Sequence, residues 1–227
     1  MIKEVAMIEV KNLFLKFTRE YYALYDVNMN IEDGESVAFI GEDESGKTSL
    51  LRIFAKLEKM TKGEVYIKDI PLDKLDYRTD ISAGYIPSTP VFLEKKTVYE
   101  NFKYILKAWG MKEADVENKI NEIIIEYAIE KIKDRKIKEL SLEEKYVLSF
   151  IRLSMRDNLD LLMVDNIFDR LSEASMEVVL DMIKKLKTKK TTLIIATTKP
   201  SIAQKLCKKF YYFKNGSVAD SLAKLEI

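Results

Sequence analysis

Residues Gly41 to Thr48 read G-E-D-E-S-G-K-T, the G-x-x-x-x-G-K-[ST] spacing of a phosphate-cradling loop. The chemistry follows from the residue types. Glycine lets backbone approach a phosphate closely, and the N–H groups of residues 43 to 48 are expected to point at β- and γ-phosphates. Lys47 would reach those phosphates as a point charge, and the Thr48 hydroxyl would hold Mg²⁺. The candidate nucleotide contacts are Gly41, Glu42, Asp43, Glu44, Ser45, Gly46, Lys47, Thr48 and Ser49. Three of these are carboxylates in a loop meant for an anion. Facing inward, Glu42, Asp43 and Glu44 would repel nucleotide, so they are expected to face solvent with only their N–H groups directed inward.

Such a loop works only between a strand and a helix, and both are present. Ser36 to Ile40 reads as a buried strand, and Lys47 to Leu57 as a helix whose N-terminus adds a positive dipole end. Far downstream, Leu161-Leu162-Met163-Val164 is a parallel-type strand ending in Asp165, a carboxylate placed to hold Mg²⁺ directly or through water.

The remaining elements alternate. Residues 5–17 and 27–31 read as strands joined by the aromatic Glu20–Tyr25 stretch, and Gly63 to Ile67 as a short edge strand. Ala83 to Ile86 is a strand stopped by Pro87 and Pro90. Helices are predicted over Thr97–Trp109, over 113–129 from the spacing of Val116, Ile120, Ile123, Ile124 and Tyr127, and from an N-cap at Ser141 to about Arg156. A helix over Ser172–Lys187, a strand over Thr191–Thr197 and a helix start at Pro200 follow. Lys209–Phe213, Asn215-Gly216 and Ser217–Ala219 form a hairpin signal. The fold class is therefore α/β. A phosphate-loop core of mainly parallel sheet carries an N-terminal antiparallel β portion and an inserted α-helical subdomain at about 88–158, all within a single domain over 1–227.

Bulk properties narrow the partners. Lys+Arg is 38 against 37 for Asp+Glu, a net charge of +1, so nothing global points to a polyanion, and no nucleic-acid partner is expected. No apolar run approaches the length of a membrane span, and Met1-Ile2-Lys3-Glu4 does not read as a secretory signal. The single Cys207 fits a reducing compartment, and the absence of histidine removes imidazole from acid–base and metal roles. Lys184, Lys185, Lys187, Lys189 and Lys190 read as a solvated helix end, with anionic headgroups as the alternative contact.

With loop, strand and spacing in place, the chain resembles the ATP-binding cassette family, the nucleotide-binding subunits of ABC transporters. Val10-Lys11-Asn12-Leu13, Ala23-Leu24 with Val27, Asp33-Gly34-Glu35, Thr97-Val98-Tyr99-Glu100-Asn101 and Lys214-Asn215-Gly216 carry the resemblance across nearly the whole chain. It implies ATP and Mg²⁺ as ligands, a dimer with itself or another such ATPase, and a polytopic membrane subunit as partner. It also implies a peripheral place on the cytoplasmic face of the cell membrane. Phe92, Tyr99, Phe102 and Tyr104 lie where relatives receive a short helix of that subunit, and helix packing explains them equally. The adenine-stacking aromatic maps to Phe17, with Tyr21 or Tyr22 as alternatives and a strand-end core residue as the plainer reading.

Several family positions are changed. The loop glutamine falls on Ser88, too short to bridge Mg²⁺ and the attacking water. The Leu-Ser-Gly-Gly-Gln signature falls on Leu140-Ser141-Leu142-Glu143-Glu144, so Ser141 survives while both glycines are lost. The catalytic glutamate falls on Asn166, the switch histidine on Thr198, and a common loop glycine on Glu44. Losing a general base costs ~10²–10⁴ in rate. Leu142 would crowd a phosphate, and Glu143 and Glu144 would set like charge against it at about 4 kcal/mol per pair at close range. The resemblance therefore implies a subunit that binds ATP-Mg²⁺ with low affinity and hydrolyses it weakly or not at all. Its alternative is a non-hydrolysing regulatory or scaffold subunit.

Overall fold

The structure, a computed structural model, describes residues 6–18, 20–156 and 158–221. The chain forms two compact units, one from Thr89–Asp157 with Arg170–Leu186, the other from the segments before, between and after. The unit built on Thr89–Asp157, the second in chain order, thus takes in a helix that sequence reading did not group with the 88–158 block.

In the first unit, β1(Ala6–Lys16) pairs antiparallel with β2(Tyr22–Glu32) and with β4(Lys62–Ile67). Alternation of apolar and polar residues buries Ile8 and Val10 of β1, and a register shift between Val10 and Leu13 carries the burial on to Leu13 and Leu15. The Tyr22–Tyr25 stretch is strand rather than connection, a correction to the sequence reading. Phe14, Tyr22 and Tyr25 form an edge-to-face cluster at 5.1–6.2 Å, which supplies the cross-strand contact. Nor is β4 at the sheet edge, because the two-residue β5(Ile70–Pro71) covers its outer side.

The other sheet has the order β10(Ser217–Ala219), β9(Lys209–Lys214), β3(Ser36–Ile40), β8(Thr192–Thr197), β7(Leu161–Asp165), β6(Ala83–Ile86). All pairs are parallel except the β9–β10 hairpin. Every residue of β7 and β8 is buried, as near-continuous apolar runs in a parallel sheet should be. Registers Ile40↔Thr197 and Asp165↔Ala196 bring the carboxyl ends of three strands level. Crevices at those ends are where open α/β sheets bind ligands. α1(Lys47–Phe54) leaves β3 through the glycine-containing loop and buries Leu50, Leu51, Ile53 and Phe54, and α6(Pro200–Leu206) starts at its proline as expected.

The helical unit holds α2(Val98–Ala108), α3(Glu113–Glu126), α4(Leu142–Ser154) and α5(Glu173–Leu186). α2 and α4 open with capping boxes, Thr97 with Glu100 and Ser141 with Glu144. Asn101 is buried and bonds across its own turn. Its Oδ1 accepts from Leu93 N–H at 2.8 Å, and its Nδ2 donates to the carbonyls of Thr97 at 2.8 Å and Leu93 at 3.2 Å. Truncation would leave the Leu93 amide without that acceptor. Asn101→Ala should therefore cost about 1–3 kcal/mol, read as a lower urea midpoint, while α1 mutations leave this turn untouched.

Candidate functional site

The loop between β3 and α1 is shaped by what it packs against. A Cβ on Gly41 would lie 2.4 Å from the Phe213 carbonyl oxygen. One on Gly46, at φ +107°, would lie 2.6 Å from the Ala23 carbonyl oxygen. Both glycines are therefore required where the loop threads between β9 and β2. The hairpin turn adds a clamp, with Gly216 N–H donating to Ser45 O at 3.1 Å and Tyr25 N–H to Gly216 O at 2.9 Å. Ser45 N–H turns back to Glu42 O at 3.3 Å, so this amide does not join the inward-pointing set expected from sequence.

Lys47 is 4% exposed. Its Nζ donates to the carbonyls of Gly41 and Glu42 at 2.7 Å each and to Ser45 Oγ at 3.1 Å. Burial holds the ammonium below its ordinary pKa, while Asp43, Asp165, Glu42 and Asp169 pull the other way. The side chain is thus pinned along the loop it serves. Glu42, Asp43 and Glu44 are exposed. The Asp43 carboxylate nonetheless turns to Asn166 and lines the cleft, against the expectation that only the N–H groups of these residues are directed inward. Glu44 takes φ +61°, a left-handed conformation that glycine adopts freely and glutamate does not.

Thr48 Oγ donates to Asp165 Oδ1 at 2.8 Å, joining helix start to strand end across 117 residues. Tyr85 OH donates to Asp165 Oδ2 at 3.0 Å, and the Ser88 backbone also bonds this carboxylate. Asp165 is fully buried, and burial lifts its carboxyl above the ordinary value despite Thr48, Tyr85 and Lys47. A buried carboxylate beside a threonine hydroxyl is a hard-oxygen donor pair, which fits Mg²⁺ completed by phosphate and water. Tyr85 escaped the sequence reading. Its signal was a phenol inside a short half-buried strand, where the hydroxyl needs a partner.

Asn166 sits at φ +46°, a conformation asparagine tolerates better than most residues. Its Nδ2 donates to Asp43 Oδ1 at 3.0 Å, while its own Oδ1 is buried without a partner. Thr198 donates to Asp169 Oδ2 at 2.6 Å, and Lys199 Nζ pairs with Asp169 Oδ1 at 3.0 Å. Against burial, which would raise it, these contacts hold the Asp169 carboxyl below its ordinary value.

A cleft of about 460 Å³ runs along the loop, lined by Phe17, Tyr21, Ala23, residues Asp43 to Ser49, and Asn166. Phe17 is 54% exposed and stacks on Tyr21 at 6.1 Å and 28°, so it is no core residue, and Tyr21 shares its wall. Tyr22 packs instead on Phe14 and Tyr25.

In the helical unit, Ser141 and the two glutamates face one another. Ser141 Oγ accepts from Glu144 N–H at 3.1 Å, and Ser141 N–H donates to Glu144 Oε2 at 2.7 Å. Glu143 accepts from Ser172 N–H at 2.7 Å, from Ser172 Oγ at 2.8 Å, and from Ser175 Oγ. Those bonds, the Ser175 hydroxyl's first, hold its carboxyl below the usual range. Glu144 thus closes the start of its own helix and Glu143 anchors the start of α5, and both carboxylates keep their negative charge. Leu142 remains outward, 40% exposed.

Residues 24–169 match the ABC transporter family. The chain is 27% identical over 221 residues to the methionine import ATP-binding protein MetN of Clostridioides difficile, covering 94% of this chain and 68% of that one. It is 26% identical over 225 residues to the sn-glycerol-3-phosphate import ATP-binding protein UgpC of Psychromonas ingrahamii, covering 98% of this chain but 60% of that one. Among solved structures it is similar to the ATP-binding cassette MJ0796, a dimer in a post-hydrolysis state bound to ADP and Pi. The TM-score is 0.80 at 26% identity, over 93% of this chain and 96% of that one.

Replacing Glu44 by glycine should relieve its left-handed strain. Glu44→Gly is expected to gain about 1 kcal/mol and raise the melting temperature by about 2–4 °C in a thermal scan. Tyr85→Phe should cost about 1–3 kcal/mol by removing a donor to a buried carboxylate, again read from the unfolding curve.

Proposed function

This chain belongs to the ABC transporter family, and on that premise we propose that it is the ATP-binding subunit of a transporter in which nucleotide binding outweighs hydrolysis. One observation carries the reading. The binding apparatus is assembled, with Lys47 pinned on its loop and Thr48 bonded to Asp165 at 2.8 Å, while the next residue, Asn166, is neutral. Phe17 and Tyr21 offer a wall for adenine, the amides of the loop receive phosphate, and Thr48 and Asp165 hold Mg²⁺. Magnesium would neutralise phosphate charge and draw the Asp165 carboxyl to its ionised form.

Without a strong base at position 166, and with Thr198 engaged by Asp169, turnover is slow. Closure of a dimer around ATP then does the work, and a membrane subunit docked on the helical unit receives it at the cytoplasmic face. That unit presents Val91, Leu93 and Tyr104 exposed, while Phe102 is buried core. Among the described residues no helix is long and apolar enough to cross a membrane, which accords with a separate membrane subunit. The second reading, a regulatory subunit with ATP as structural ligand, is favoured by the way Glu143 and Glu144 are bonded at the starts of α5 and α4.

Calorimetric titration with MgATP tests binding. The wild-type chain should bind, and Lys47→Ala should bind about 10- to 100-fold more weakly. Phosphate release in the same preparation should run ~10²–10⁴ below what a site with its base achieves. Fast turnover abolished by Lys47→Ala would overturn the slow-hydrolysis reading. Co-purification from membranes without any membrane protein would overturn the docking.

A further inference from the structure

The carboxylate missing at the end of β7 stands on the facing loop. Asn166 Nδ2 lies 3.0 Å from Asp43 Oδ1, and both side chains line the cleft with Lys47 and Thr48. We propose that Asp43 is the general base of the residual hydrolysis, held in place by Asn166 as a positioning residue. This rests on the nucleotide-binding reading above.

Three features support the pairing. The orientation of the Asn166 amide is fixed, because only its NH₂ group can face a carboxylate. That orientation leaves Asn166 Oδ1 buried and unpaired, a cost that the amide bears while bonded to Asp43. Among the carboxylates whose charge acts on Lys47, Asp43 acts most strongly, ahead of Asp165, Glu42 and Asp169. Asp43 is therefore close to the group that would hold the phosphates, and exposed enough to meet water.

The step balances simply. A water oxygen forms a bond to the γ-phosphorus as the bond from that phosphorus to the β–γ bridging oxygen breaks, its electron pair leaving on ADP. The water proton passes to the Asp43 carboxylate and then to the released phosphate. Asp43 also adds negative charge near the triphosphate, so the same residue that assists the cleavage weakens binding. A pure repeller would share only the second property, which separates the two roles.

The test uses the full chain in single-turnover hydrolysis of radiolabelled ATP with Mg²⁺, beside calorimetric binding of the same nucleotide. Asp43→Asn should bind MgATP as tightly as wild type or tighter, yet hydrolyse it about 10²-fold more slowly. Asp43→Ser gives a second removal of the carboxylate. Asn166→Ala should slow hydrolysis with binding little changed. The exchange Asp43→Asn with Asn166→Glu returns the carboxylate to β7 and should restore at least the wild-type rate. Asn166→Glu alone sets two carboxylates together and should weaken binding. Asp43→Asn that binds and hydrolyses as fast as wild type, or faster, would make Asp43 a repeller and overturn the proposal. So would wild-type turnover no higher than that of Lys47→Ala. A wild-type chain that takes up no MgATP would instead defeat the nucleotide-binding reading itself.

Discussion

A buried cation held by carbonyl oxygens organises this molecule. Lys47 is out of solvent, and a lone buried ammonium would be expensive. The Gly41 and Glu42 carbonyls and the Ser45 hydroxyl offset that cost, but only if the loop curls tightly around the side chain. The curl requires Gly41 and Gly46 where β9 and β2 leave no room for a Cβ. It also fixes the first turn of α1 so that Thr48 reaches Asp165. Parallel register of β3, β8 and β7 then sets how far apart loop and carboxylate can be. Sheet, loop and candidate metal ligands are thus one geometric problem with one solution.

Charge in the cleft has a consistent logic. Burial pushes the Asp165 carboxyl up and the Lys47 ammonium down, each toward neutrality, so the pair carries less stabilisation by itself than a surface drawing would suggest. A divalent ion beside Asp165 would favour its ionised form, and a phosphate chain beside Lys47 its charged one. The carboxylates of Glu42 and Glu44 are exposed to solvent. Asp43 alone is drawn back, by an asparagine whose backbone already sits in the left-handed region.

What could be read before the structure was whatever local physics repeats. Thr97 with Glu100 and Ser141 with Glu144 announce helix starts because a cap and its reciprocal acceptor lie three residues apart. The apolar run before Asp165 announces a parallel strand for a similar reason. The phosphate loop was legible for the same cause, its function being packed into eight consecutive residues. Contacts between polar groups far apart in sequence were not. Asp43 with Asn166, Tyr85 with Asp165, and Glu143 with Ser172 join residues 123, 80 and 29 positions apart. No periodicity encodes them, because each depends on where two elements end. The same blindness hid the grouping of α5 with the helical unit.

Those long-range bonds also change the physical account of the altered signature. On residue types alone, two glutamates at a helix start would repel a phosphate approaching from a dimer mate. Their carboxylates are bonded, Glu144 closing its own helix and Glu143 anchoring the start of α5, which fixes where they point without removing their charge. Beside that charge stands a steric obstacle. The Leu142 side chain stands outward where a glycine would leave backbone bare. A steric obstacle differs from a charged one in being insensitive to salt, whereas exposed charge fades over a Debye length of about 8 Å at physiological ionic strength. The steric part of the obstruction at this helix start is therefore built into the packing, and ionic conditions that ease the repulsion by Glu143 and Glu144 leave it in place.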